Sequence, residues 1–80
     1  MRRQNEKITP DRLIDASIAV LRAVAEVKEE LGGAPLYPPD LMGSPLQPAY
    51  LSEFTRFEIE EATAFLIRMG LVEKVKGQRS

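Results

Sequence analysis

The 80-residue sequence predicts a mainly α fold, with a long N-terminal helix, short central helical turns, a second strong helix and a short C-terminal β-strand. Three observations carry that prediction. Residues 9 to 31 and residues 55 to 70 each combine helix-start chemistry, apolar residues at helical spacing and a terminal glycine. Between them, residues 32 to 52 hold five of the chain's six prolines and three of its five glycines, which rules out a long regular element there. The composition, 44% hydrophobic and 29% charged, is that of a folded domain, and a chain of this length is too short for two independent cores.

The first helix starts at Thr9-Pro10-Asp11. Thr9 suits the N-cap, Pro10 lacks the N–H that a first helical residue would leave unpaired, and Asp11 complements the positive end of the dipole. Ile8 and Leu13 are spaced for a hydrophobic staple. Apolar residues recur at Leu13, Val20, Val24, Val27 and Leu31, with Ile14, Ile18, Leu21 and Ala25 on an adjoining row. Gly32 is placed to stop the helix after Leu31. The apolar band is wider than one core covers. Either the short elements of the chain wrap it, or Ile14, Ile18, Leu21 and Ala25 form the interface of a homodimer; a long coiled coil is disfavoured because the spacing is not a strict heptad.

In the central segment, a structureless connection of such length is unusual, so helical turns are expected at Pro39–Met42 and Pro48–Leu51. Leu36, Tyr37, Leu41, Met42, Leu46, Tyr50 and Leu51 argue that the segment packs. The second helix opens on a complete capping box, Thr55 with Glu58, and on a staple of Phe54 with Ile59. Phe57, Ile59, Ala62, Phe65, Leu66 and Met69 are expected to face the core, leaving Glu58, Glu61 and Arg68 mostly outside. Gly70 is placed for a left-handed cap, with Leu71 folding back on Leu66. Residues 71 to 75 favour a strand, and Lys76-Gly77-Gln78 a turn. The expected organisation is a basic arm over residues 1 to 8, one domain over 9 to 76 and a tail over 77 to 80.

With neither cysteine nor histidine, the chain lacks disulfides, thiolate or imidazole metal ligands, a cysteine nucleophile and an imidazole base. Glu58 and Glu61 lie three apart, but Glu58 is committed to the cap, and Gly32-Gly33 follows a helix where a phosphate loop would open one. The expectation is a protein that is not an enzyme and uses no metal or cofactor. Asp15, Arg22 and Glu26 interrupt the apolar run from Leu13 to Val27, so no membrane span is expected, and the reading is cytoplasmic. The net charge of −1 is unevenly spread: residues 8 to 73 hold five basic and eleven acidic residues, while Arg2, Arg3 and Lys7 and then Lys74, Lys76 and Arg79 make both ends basic. A polyanion would meet the ends, since the body repels it.

The run from Thr55-Arg56-Phe57-Glu58-Ile59 through Phe65-Leu66-Ile67-Arg68-Met69-Gly70-Leu71-Val72 resembles the recognition helix and first wing strand of the winged helix-turn-helix superfamily, over about residues 39 to 76. That resemblance implies a small, dimeric DNA-binding transcription regulator, with Ser52, Thr55 and Arg56 near the groove and Lys74, Lys76 and Arg79 as wing contacts. Arg2 and Arg3 would act as a phosphate-following arm. Against this stands an acidic helix face of Glu58, Glu60 and Glu61, with Tyr37, Tyr50, Phe54 and Phe57 as aromatic neighbours, which implies instead a module docking a protein partner. For Arg56 and Arg68 the alternative to DNA contact is a solvated face with local ion pairs to glutamates.

Overall fold

The computed structural model describes residues 8–34 and 36–74. It is mainly helical. Helix α1 spans Pro10–Glu30, a 3₁₀ turn spans Pro38–Leu41, a second spans Ala49–Glu53, and helix α2 spans Arg56–Arg68. Among the described residues there is no strand.

The local signals set the ends of both helices. The Thr9 hydroxyl accepts from the N–H of Arg12 at 3.2 Å, with Pro10 at the first helical position. At the far end the N–H of Gly33 donates to Lys28 C=O at 2.9 Å and that of Gly32 to Glu29 C=O at 3.2 Å, the paired bonds of a Schellman closure. Gly32 sits at φ +71°, a conformation that a Cβ disfavours. In α2 both halves of the capping box form: Glu58 N–H donates to the Thr55 hydroxyl at 3.1 Å, and Thr55 N–H donates to the Glu58 carboxylate at 3.0 Å. The same closure ends α2, with Leu71 N–H on Leu66 C=O at 2.9 Å. The Leu71 side chain is nevertheless exposed, and Val72 is the residue that folds into the core.

α1 packs on α2, the first 3₁₀ turn touches both helices, and the second lies on α1. Arg12 near the start of α1 meets Glu58 in the first turn of α2, and Lys28 near the end of α1 lies 3.9 Å from Glu73 just past α2. The two helices therefore run in the same direction. A helix of 21 residues is about 31 Å long, so the proline-rich connection has to carry the chain back along it before α2 can start. The buried residues Pro38, Pro39, Leu41 and Leu51 anchor that return, whereas Leu46 stays exposed.

The core consists of Ala16, Ala19, Val20, Ala23 and Val27 from α1, Leu41 and Leu51 from the return segment, and Ile59, Ala62, Leu66 and Val72. Leu13, Val24, Phe54 and Phe65 pack against its edge. Three expectations change here. Phe57 is exposed, because a residue two positions before Ile59 lies on the opposite side of the helix. Met69, also expected inside, is exposed where the chain leaves the helix. The place on the inner face is taken by Thr63, fully buried, whose hydroxyl donates to Ile59 C=O at 2.7 Å. Residues 71 to 74 form bends and coil; a strand needs a paired neighbour, and no described segment lies in that position. Val75 and the expected turn at Lys76–Gln78 lie outside the described residues.

Candidate functional site

The face of α1 turned away from α2 is built from Ile14, Ile18, Leu21 and Ala25, all exposed. Ile14 is 57% exposed, Ile18 61% and Leu21 38%. The inner face of the same helix uses Ala16, Ala19, Val20, Ala23 and Val27. α1 thus buries alanines and valines, which lets α2 approach closely, and presents two isoleucines and a leucine to solvent. A helix stabilised only by its own subunit's core gains from the reverse arrangement, since burying an Ile or Leu side chain contributes about 1.5–3 kcal/mol. Neither the return segment nor α2 covers this row, so the wrapping that would have accounted for the wide apolar band is not made by the described residues.

Two arginine clasps border the inner side. Arg12 forms a two-pronged ion pair with Glu58, at 2.7 and 3.0 Å, donates to Glu53 C=O at 3.0 Å, and lies over the Phe54 ring at 4.6 Å. The guanidinium, with help from the Thr55 N–H, holds the Glu58 carboxyl below the usual carboxylate range. Arg22 pairs with Glu26 at 3.1 Å and stacks over Tyr50 at 4.3 Å, while the Tyr50 hydroxyl donates to Glu26 at 2.8 Å. Burial first, and then the Glu26 carboxylate, push the Tyr50 phenol up to about 12. That phenol, and next to it Arg22, lower the Glu26 carboxyl. These contacts fasten the ends of α1 to α2 and to the second 3₁₀ turn.

Of the eight residues expected at DNA, four fall among the described ones: Ser52, Thr55, Arg56 and Lys74. Arg2, Arg3, Lys76 and Arg79 lie outside the described residues. The Ser52 hydroxyl donates to Ala49 C=O at 2.6 Å, and Thr55 is engaged on both sides by the capping box. Arg56 is held by Glu60 at 3.1 Å and Asp40 at 3.5 Å. Lys74 is exposed and lines, with Ala64, Ile67 and Arg68, a shallow cavity of about 190 Å³. Neither Arg68 nor Lys74 has a carboxylate partner among the described residues.

The glutamates expected to form an acidic docking face are differently engaged. Glu58 is held by Arg12 and Glu60 by Arg56, leaving Glu61 exposed. Of the four aromatic residues, Tyr37, Tyr50 and Phe54 are half-buried and Phe57 alone is exposed. Among the described residues no group of three acidic side chains is placed to hold a metal ion. No helix among them is long and apolar enough to cross a membrane.

Sequence reading did not anticipate the clasps or the buried Ser17. The partners Arg12 and Glu58 stand 46 positions apart and Tyr50 and Glu26 24 apart, separations at which no local pattern carries a signal. The alanines at Ala16, Ala19 and Ala23 were the available signal for the inner face, being the small residues a close helix contact requires. Comparison with family models, with curated proteins and with solved structures found no match to this chain.

Proposed function

We propose that the chain is a non-enzymatic, cytoplasmic interaction module whose working surface is the outer face of α1, and that its partner there is a second copy of itself. One observation carries the reading: α1 buries only alanines and valines fully, Ala16, Ala19, Val20, Ala23 and Val27, while Ile14, Ile18 and Leu21 stand in solvent. A contiguous apolar row on a small domain with a charged remainder marks an association surface. Sedimentation equilibrium over a micromolar to millimolar series tests it. The expected result is a mass that rises from monomer to dimer with concentration; a monomer throughout would refute the reading.

A second reading is that of a winged helix-turn-helix DNA-binding regulator, in which α2 serves as the recognition helix and Leu71-Val72 begin the wing. It is favoured by the exposed Arg68 and Lys74, which have no carboxylate partner among the described residues, together with the basic sequence at both ends. Ser52, Thr55, Arg56, Lys74, Lys76, Arg79, Arg2 and Arg3 would supply the contacts. For Arg56 this requires breaking its pairs with Glu60 and Asp40. Anisotropy titration of labelled duplex DNA at low and near-physiological salt separates the outcomes, since phosphate contacts weaken steeply with salt. Absence of binding at low salt would remove the DNA reading and leave the self-association reading untouched.

A further inference from the structure

The positions of Ile14, Ile18, Leu21 and Ala25 along α1 fix more than a sticky face. Within an apolar band that is not a strict heptad repeat over its length, these four stand four, three and four residues apart, a short seam of the kind through which two helices pair. Continuing the seam by three residues in each direction reaches Asp11 at one end and Lys28 at the other. Asp11 is exposed, and Lys28, half-buried beside Glu73, keeps its side chain 39% exposed. An apolar seam is thus bracketed by one acid and one base.

This arrangement distinguishes the two ways of pairing identical helices. In a parallel, in-register pair Asp11 faces Asp11 and Lys28 faces Lys28, so both ends of the seam repel; Ala25 faces Ala25 and leaves a gap, while Ile14 faces Ile14. Turning one copy round removes each conflict. A single two-fold point between Ala19 and Val20 sets Ile18 against Leu21, Ile14 against Ala25 and Asp11 against Lys28. Ile14 then meets the small Ala25, and opposite charges meet twice. Rim charges of this kind contribute less to affinity than to the choice of orientation, by penalising the wrong one.

We propose that two copies of the chain pair through α1 in antiparallel orientation, in the register that places Asp11 of each copy against Lys28 of the other. This rests on the self-association reading above. Because α2 lies on the opposite side of α1, the pair is a layered assembly with the two α1 helices at its centre and the α2 helices outside. The interface is isologous, so it closes at two copies.

The chain contains no cysteine, so single substitutions report orientation directly. Ile14→Cys and Ala25→Cys are made separately in the full chain, at two exposed positions, and oxidised alone and as an equal mixture. A disulfide needs Cα atoms within about 7 Å. In the antiparallel register residue 14 lies beside residue 25 of the other copy, whereas like positions are about 16 Å apart along the axis. The expected result is a covalent dimer in the mixture, mapped by mass spectrometry to a 14–25 bond, with each variant alone remaining uncross-linked. Self-linking of each variant with no excess of the mixed species would overturn the proposal in favour of parallel pairing. No cross-link in any arm, with dimer still present by sedimentation, would overturn the register. A wild-type chain that sediments only as a monomer would overturn the reading beneath both.

Discussion

Ser17 lies on the inner half of α1, is 6% exposed, and its hydroxyl has no hydrogen-bond partner among the described residues. A serine in a helix can donate to the carbonyl four residues earlier, as Thr63 does to Ile59 C=O at 2.7 Å; Ser17 does not make the corresponding bond. Replacing it with alanine removes a desolvated polar group that gains nothing in return. The recovered desolvation is about 1–3 kcal/mol. Higher helix propensity adds about 0.5 kcal/mol, and the lost contacts of one oxygen subtract a few tenths. Ser17→Ala should therefore stabilise the fold by about 1–3 kcal/mol, or about 5–15 °C in Tm for a domain of this size. Urea unfolding followed by circular dichroism provides the measurement, at the lowest protein concentration the signal allows so that association adds nothing. Thr63→Val is the contrasting control: it loses a made hydrogen bond and should cost about 0.5–1.5 kcal/mol. Destabilisation by Ser17→Ala of about 1 kcal/mol or more would mean instead that the hydroxyl is satisfied in the folded protein.

Three further outcomes follow from the packing, the cap and the tyrosine clasp. Ala23→Leu places a large side chain on the fully buried face where α1 meets α2, and should destabilise by about 1–3 kcal/mol in a urea titration. Gly70→Ala should cost about 1–2 kcal/mol in the same assay; nothing lies within 4 Å of the added Cβ, so the cost is that of holding a non-glycine residue at φ +78°. Tyr50 should ionise near 12 by phenolate absorbance, and Glu26→Gln should bring it down towards the free-tyrosine value. As a group whose folded value is raised, its contribution to stability is fully present below about 10 and is lost as pH rises towards about 12, so alkaline unfolding should begin later in Tyr50→Phe.

The parts of the fold legible in the sequence are those decided within a few residues. Thr9-Pro10, Gly32, the Thr55–Glu58 box and Gly70 act on their own turns, and the helix limits fall where they point. Prolines at the start of the 3₁₀ turns work in the same local way, and the turns lie within a residue or two of their expected places. Side-chain direction was less legible. Phe57 is as apolar as Ile59 but sits across the helix from it, and a threonine that satisfies its own hydroxyl takes an inner position. The candidate surface was half visible: the row Ile14, Ile18, Leu21 and Ala25 stands out by spacing, but its exposure depends on how the return segment runs. That path is set by contacts such as Leu51 in the core and Tyr50 on Glu26, across separations that periodicity does not encode.

On the proposed reading the outer face of α1 serves association and not the subunit's own core, and Ile18→Asp separates the two roles. Sedimentation of wild type and variant at matched concentrations, paired with dilute urea unfolding, reads both roles of the residue at once. The wild type is expected to form dimers, Ile18→Asp to stay monomeric at the same concentrations, and the dilute unfolding free energies to agree within about 0.5 kcal/mol. A variant that dimerises as the wild type does, or that loses several kcal/mol of monomer stability, would contradict it.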